Sequence, residues 1–477
     1  MIIENIINSL LNFIPEIILS IMAMVILLFG IFKTTKNYIF ITTLLSVFLA
    51  LLVSIKYFPQ DNLYLFNSSI IKNEITEFFK YICYIIFILQ VMVSRKYLEQ
   101  RKLFSGEFYS LLIFAFLGCL IILSSNNLII LFLGIELSSL SLYSLIALNR
   151  NSIFSSEAAI KYFVLSIIAS AIILFGFSYL YGITNSITIS DIVGYSNKFQ
   201  VSNLYLFSYV LIFIGIAFKF AVAPFHLWLP DVYEGSPIPI TNFISSIPKI
   251  AFFVFAYRFL DKNEIFQNEN FYNLILILGV FSIFVGNIFA LTQRKILRML
   301  AYSSIANSGF MFIALYAAKD FNFSVTAFYL IVYSFTIVSL LSIITFLSSK
   351  KFDLVYIDDL KGLSSKASFI SVLLMVIMLS SAGIPLTIGF YAKFLVLDAL
   401  ISSGLVYVAI ITVLLAVVGL YYYLRIIWFM FFERGLNSLI NIEGKLQILT
   451  LSIIPILLFI TFLSPNVFFK YIFNILA

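Results

Sequence analysis

Runs of about 20 apolar residues, long enough for a helix to cross the hydrocarbon core of a bilayer, recur along almost the whole of this 477-residue chain. Read between polar breaks they number fourteen, near 8–32, 38–55, 76–94, 107–124, 127–148, 157–183, 203–229, 238–260, 271–292, 296–318, 323–348, 368–402, 404–432 and 446–464. Lipid offers backbone N–H and C=O groups no partner, so each run predicts a helix. A barrel strand would alternate polar and apolar positions over about ten residues, and stretches such as Ile410 to Leu420 do not alternate. Composition agrees: 62% of the residues are hydrophobic and only 11% charged, against roughly 25% charged in a soluble domain. The expected fold class is an all-α integral membrane protein of about fourteen transmembrane helices.

The rare residues exclude whole classes of chemistry. Cys83 and Cys119 both lie inside apolar runs, and no Cys-x-x-Cys occurs. A structural zinc site or an iron–sulfur cluster takes about four ligands, which two cysteines cannot supply. Both cysteines read as small core residues. His226 is the only histidine, so bis-histidine haem ligation is excluded. None of the 19 glycines lies two positions from another, so there is neither a G-x-G dinucleotide fingerprint nor a phosphate-binding Walker loop. No metal or cofactor is therefore expected in this chain, and linked redox chemistry is expected in another. The first cation is Lys33, so the N-terminus lacks the positive region of a cleaved signal, and the first span is expected to be retained.

The net charge of +7 suggests nucleic acid only at first sight, because the cations stand singly or in pairs in short loops. No nucleic-acid partner is expected. Loops after odd-numbered spans hold fifteen of them: Lys33, Lys36, Arg95, Lys96, Arg101, Lys102, Arg150, Arg294, Lys295, Lys350, Lys351, Lys361, Lys366, Arg434 and Lys445. The opposite side holds six: Lys56, Lys72, Lys198, Lys262, Lys319 and Lys470. Positive loops stay in the cytoplasm, so the odd loops are expected inside and both termini outside.

A charge at mid-membrane costs about 2.5–3.5 kcal/mol on insertion scales, and four residues incur that cost. Glu136 lies in the span 127–148, Lys219 near the middle of 203–229, Lys249 eleven residues from each end of 238–260, and Lys393 inside 368–402. Lys249 is about 16 Å from either end at helical rise, too deep to reach water by snorkelling. Glu157 and Lys161, four apart at the start of the sixth span, read either as part of a charge path or as an ordinary interfacial pair. His226 reads either as a proton relay or as a packed residue hydrogen-bonded to broken backbone. Arg258, Arg298 and Arg425 lie near span ends and read as anchors.

Helix breakers accompany these charges. Pro224 follows Lys219 by five residues, and Pro385 precedes Lys393 by eight. Proline removes an intrahelical hydrogen bond, so spans 7 and 12 are expected to be broken, as in transporters that place ionisable groups beside discontinuous helices. Spans 4–8 and 9–13 form two groups of five, with a lysine in the fourth helix of each. Five is odd, so the second group enters the membrane inverted. The expected segments are 1–106 with three helices, repeats over 107–262 and 263–434, and a C-terminal helix in 435–477.

At these residues the sequence resembles a known family. The stretch Phe218-Lys219-Phe220-Ala221-Val222-Ala223-Pro224-Phe225-His226-Leu227-Trp228-Leu229-Pro230-Asp231-Val232-Tyr233-Glu234-Gly235-Ser236-Pro237 is similar to the signature of the antiporter-like subunits of respiratory complex I. Three further stretches resemble subunit N within that group: Glu157 to Phe163, Arg298 to Asn307 and Gly383 to Phe394. No histidine follows His226, and a lysine stands at position 393, which distinguishes the pattern from the sister subunits L and M. The resemblance spans about 107–432, with the first three helices matching in topology alone. Fourteen spans fit a bacterial or plant-type protein, since the animal mitochondrial counterpart lacks the first three.

The resemblance implies a proton-translocating subunit of NADH–quinone oxidoreductase. Glu136 and Lys219 become the paired acid and base of one half, Lys249 the connecting lysine and Lys393 the exit-side lysine, with Lys161 and His226 as secondary candidates. Burial disfavours the charged form of each, and closeness favours it, so a balanced pair can take or release a proton when a nearby charge moves. NADH, FMN, iron–sulfur clusters and quinone are expected in other subunits of the complex. The other membrane-arm subunits and membrane lipid are the expected partners, protons the transported ion, and the bacterial inner membrane the location, with a plant-type mitochondrial inner membrane as the alternative. The competing function is an Mrp-type cation/proton antiporter subunit.

Overall fold

The computed structural model describes residues 2–32, 36–59, 61–196, 202–261, 263, 265, 268–316, 323–348, 354–434 and 445–476. Of the cations that orient the chain, Lys33, Lys198, Lys262, Lys319, Lys350 and Lys351 lie outside the described residues, as do the expected segment ends at 262 and 435. The chain is almost wholly helical. In order run α1 (Ile2–Asn12), α2 (Ile14–Ile31), α3 (Lys36–Lys56), β1 (Leu63–Leu65), β2 (Ile70–Lys72), α4 (Glu74–Gln100), α5 (Gly106–Ser124), α6 (Leu128–Ile146) and α7 (Ile153–Thr184). Then come α8 (Ile189–Ser196), α9 (Asn203–Phe220), α10 (Trp228–Gly235), α11 (Ile238–Leu260), α12 (Glu269–Thr292), α13 (Ile296–Tyr316) and α14 (Ser324–Leu347). Six follow: α15 (Leu363–Lys366), α16 (Ser368–Ala382), α17 (Ile388–Ser402), α18 (Val406–Phe432), α19 (Lys445–Leu463) and α20 (Pro465–Leu476).

Among the described residues twelve helices are long and apolar enough to cross a membrane, or thirteen if the pair Ile448–Leu463 and Pro465–Leu476, bent by 93°, is one span. The stretch expected as the twelfth span is two helices of 15 residues each, α16 and α17. The expected first span divides between α1 and α2 at Phe13, because Pro15 has no N–H to donate and sits where a helix begins. Local chemistry sets other ends. Ser105, Asn127 and Ser152 accept first-turn N–H groups of α5, α6 and α7, and Asn185 closes α7 in the left-handed region at φ 52°.

Two compact units divide the chain: Met1–Val91, Lys102–Lys219 and Ile247–Phe271 form the first, and Met92–Arg101, Phe220–Ser246 and Tyr272–Ala477 the second. In the first, glycines let helices touch backbone to backbone. A Cβ on Gly106 of α5 would lie 2.6 Å from the Cα of Gly30 at the end of α2, and one on Gly118 would lie 2.6 Å from the Ser138 nitrogen of α6. The β1–β2 hairpin pairs Leu63 with Lys72 and Leu65 with Ile70, and Ile70 bridges on to Ser125 at the end of α5. In the second unit, Gly279 and Gly286 of α12 give α13 the same close approach.

The core is mostly apolar, but large apolar residues such as Met24, Ile160, Ile168 and Leu414 are also exposed, as suits a multi-span membrane protein, whereas Ser139, Ser166, Asn242, Ser304, Ser308 and Ser342 are buried. Hydrogen bonds between helices satisfy the buried polar set.

Candidate functional site

The first unit holds three of the four expected charges. Lys219 ends α9, is 8% exposed, and donates to Ser139 Oγ of α6 at 2.8 Å and to Ser166 Oγ of α7 at 2.7 Å. The rings of Tyr162, Phe218 and Phe252 lie 5.8–6.0 Å from its ammonium, within range for a cation–π attraction. Two hydroxyls and three ring faces thus replace water around this charge. Glu136 stands one turn from Ser139 on the same face of α6, half-buried, with Oε1 buried and unpartnered. Its charge reaches Lys219 electrostatically, but no ion pair joins them among the described residues. The acid and base are therefore spaced by Ser139 rather than in contact.

Lys249 is 2% exposed on α11 and directly follows Pro248 inside that helix. The proline withholds the hydrogen bond that the Ile244 carbonyl would otherwise accept. Lys161 pairs with Glu157 at 2.6 Å, but the two side chains are 41% and 53% exposed, the situation in which an ion pair contributes about 0.3–0.5 kcal/mol.

Both expected breaks are present. Between α9 and α10 the chain leaves helical geometry, with Ala221 at φ 56° and a cis Ala223–Pro224 peptide. In the second unit Ser308 donates to the Phe220 carbonyl at 2.7 Å and Ser282 accepts from the Ala223 N–H at 2.9 Å, so side chains satisfy the freed backbone. His226 lies in this break with its Nδ1 buried and unpartnered, while its carbonyl accepts from Leu229 at 3.0 Å to start α10.

The second break separates α16 from α17. Gly383 closes α16 at φ 81°, and the Ile384 N–H returns to the Leu379 carbonyl at 3.1 Å. Thr387 then caps α17 by accepting from the Phe390 N–H. Lys393 folds back over this junction and donates to the Ser381 and Ala382 carbonyls, both at 2.9 Å. Those are the free carbonyls at a helix C-terminus, where the backbone dipoles favour a cation. The Phe310 ring lies 5.4 Å away. Lys393 also lines a cavity with Ser303, Asn307, Tyr329, Tyr333 and Tyr423. Hydrogen bonds join most of its walls: Ser303 bonds Tyr423, Asn307 donates to the Ser303 carbonyl at 2.8 Å and Tyr329 donates to Asn307 at 2.8 Å, while Tyr333 donates separately to Ser304 at 2.8 Å.

Several residues escaped the sequence reading. Ser139 and Ser166 carry the Lys219 site, yet serine is common in packed membrane helices and nothing in spacing singles them out. Arg298 is more than a span-end anchor: it donates to Asp231 at 2.9 Å and Glu234 at 2.8 Å, and Lys295 joins Glu234, which fastens α10 to α13. The acids of the Asp231–Glu234 stretch were the available signal. Glu16, Glu77 and Lys80, all buried, lie inside apolar runs: Glu77 and Lys80 stand at the start of the third run, whereas Glu16 lies eight residues inside the first and was as visible in the sequence as Glu136.

The profile of a family described as "NADH:quinone oxidoreductase/Mrp antiporter, TM" matches residues 125–419, which include Glu136, Lys219, Lys249 and Lys393. NADH-quinone oxidoreductase subunit N of Nitrosomonas europaea is 38% identical over 422 residues, covering 88% of each chain. The subunit N of Ruthia magnifica is 35% identical over 470 residues, covering 97% of each. The chain belongs to the NADH-quinone oxidoreductase subunit N family. Among solved structures, a chain of respiratory complex I from Thermus thermophilus with bound aureothin superposes with a TM-score of 0.82 at 27% identity, covering 96% of this chain and 98% of that one. A chain of the Mrp complex from a Dietzia species shares the fold, with a TM-score of 0.84 at 16% identity over 98% of this chain and 97% of that one. In this chain the candidate residues resolve into a lysine held by hydroxyls and a lysine beside a proline in the first unit, and a lysine capping a helix end in the second.

Proposed function

We propose that this chain is a proton-translocating membrane-arm subunit of NADH–quinone oxidoreductase, and that Glu136, Lys219, Lys249 and Lys393 are the groups that carry its protons. One observation supports this most strongly: the Lys219 ammonium is buried among two hydroxyls and three aromatic rings with a carboxylate one turn beyond. A permanent charge there would be better served by a direct ion pair. A group that must sometimes be neutral is served by hydroxyls, which accept from an ammonium and donate to an amine. A carboxylate set back by one turn biases the lysine toward its charged form. A shift of that carboxylate or of a neighbouring charge would release the proton.

Lys393 uses a different device toward the same end. Helix-end carbonyls hold the ammonium, and the adjoining tyrosine and serine hydroxyls offer an onward path for the proton. The two five-helix groups act as inverted repeats in this reading, each with a broken lysine-bearing helix. The odd-numbered loops face the cytoplasm of a bacterium and both termini the periplasm. Redox chemistry is assigned to other subunits, which carry NADH, FMN, clusters and quinone. Lys161 is left as an interfacial residue, and His226 as a secondary relay candidate beside the first break.

Native membranes solubilised in mild detergent test the assignment. The chain is expected to migrate with NADH dehydrogenase activity and to co-purify with other membrane-arm subunits. Migration apart from that activity, with sodium- or potassium-dependent proton exchange lacking respiratory substrates, would establish the Mrp-type alternative instead.

A further inference from the structure

The N-terminal helices contain a buried cluster of charges that none of the groups above uses. Glu16 on α2 and Lys80 on α4 form an ion pair at 2.6 Å with side-chain exposures of 3% and 6%. Glu77, one turn before Lys80, is 1% exposed, and neither of its carboxylate oxygens has a hydrogen-bond partner. Its nearest cation is the same Lys80, at 3.5 Å and long for a hydrogen bond. Lys72 on β2 is also buried and directs its ammonium to the carbonyl and side-chain oxygens of Asn12, at 3.5 and 3.4 Å.

An ionised carboxylate without donors is among the costliest groups to bury, whereas a neutral carboxylic acid costs far less. The asymmetry of Lys80 has the same cause. It sits close to one carboxylate and stands off from the other, as it would if only Glu16 were charged. A metal cation is disfavoured, because both flanking basic groups would repel it and only two carboxylates are at hand. We propose that Glu77 is a further proton-binding site of this chain, outside both repeats, which takes up and releases a proton during turnover. On release, Lys80 is drawn from Glu16 toward Glu77, so the proton also sets which helix α4 is fastened to.

The other groups facing Glu77 fit this role. Tyr81 and Tyr84 of α4 lie within its electrostatic reach. Arg258 of α11 donates to Thr76 at 2.9 Å and to the Ser125 carbonyl, placing a guanidinium next to the residue that precedes Glu77. Phe79 packs on Phe253 of α11 with ring centroids 5.5 Å apart. The helix that carries Glu77 therefore rests on the helix that carries Lys249, between Lys249 and Arg258.

The test uses the purified complex that contains this chain. A hydrophobic carbodiimide reacts with protonated carboxyls in apolar surroundings, and peptide mass spectrometry locates the adduct. Glu77 is expected to be modified well above the exposed Glu157, and Glu77→Gln to abolish that adduct. In inverted vesicles Glu77→Gln, which fixes the neutral form at nearly constant volume, is expected to lower NADH-driven proton pumping roughly twofold or more, and Glu77→Asp to recover it. Labelling of Glu77 no stronger than of Glu157 would overturn the proposal, whether or not the variants assemble. Pumping at the wild-type level in assembled Glu77→Gln would overturn it equally. The pumping arm rests on the function proposed above and the labelling arm does not. If Lys219→Ala leaves pumping intact, that function fails while the Glu77 adduct stands. If Glu77 is unlabelled while Lys219→Ala abolishes pumping, this proposal alone fails.

Discussion

Lys219 and Lys393 solve the same physical problem with different atoms. A buried ammonium needs acceptors in place of water. Lys219 finds them in the side chains of Ser139 and Ser166, which lie on two neighbouring helices. Lys393 finds them in the Ser381 and Ala382 carbonyls exposed by the break in its own span. The second solution depends on Gly383. Its φ of +81° is a conformation that costs an L-residue about 1–2 kcal/mol, and an added Cβ would lie 2.7 Å from Lys393 Cδ. Gly383→Ala is therefore expected to lower stability by about 1–2 kcal/mol and to push Lys393 off its carbonyls. Thermal unfolding of the purified protein checks the first effect, and reduced proton pumping the second. Residue identity was legible at Lys219, Lys249 and Lys393, because a lone charge in an apolar run is conspicuous. Their partners were not, because backbone carbonyls carry no sequence label and a serine near a lysine in space lies 53 or 80 positions away in the chain.

Among the elements, most helix bodies were legible and several ends were not. Apolar length gave the runs, and the prolines at 224 and 385 located both breaks, since lost backbone hydrogen bonds follow directly from residue type. The division at Phe13 was marked by Pro15, but the short helix α8 and the β1–β2 hairpin depend on tertiary hydrogen bonds, from the Asn126 N–H to the Ser69 carbonyl and from the Ile189 N–H to the Asn126 carbonyl, that no local pattern records. The junction of α10 with α13 was hidden in the same way, because it needs Asp231 and Glu234 to meet Arg298 and Lys295. Burial raises the Glu234 carboxyl, but the hydrogen bonds from Lys295 and Arg298 outweigh it and hold the group below its ordinary value of 4.5. A group lowered on folding contributes stability that is full above its unfolded value and is lost as pH falls through the folded one. Glu234→Gln should accordingly be less stable than the wild type near neutral pH, and the gap should narrow below pH 4.5. Melting curves of the detergent-solubilised protein at the two pH values measure it. A gap independent of pH would show that the junction does not depend on the Glu234 charge.

For the whole molecule, the outside is apolar and the few charges are inside or at loop ends, which reverses the economy of a water-soluble fold. That arrangement makes each buried charge expensive, and the described residues include six of them in surroundings that differ, Lys219 and Lys249 in the helices read as repeats and Glu16, Lys72, Glu77 and Lys80 in the N-terminal segment, with Glu136 and Lys393 half-buried beside them. The central proposal, which rests on the local geometry of Lys219, is that this lysine changes its protonation state during turnover. NADH-driven proton pumping by inverted vesicles carrying Lys219→Ala, in a complex shown to be assembled, tests that claim most directly. Pumping is expected to fall to about a tenth of the wild-type rate or less. Wild-type pumping in the assembled variant would contradict it.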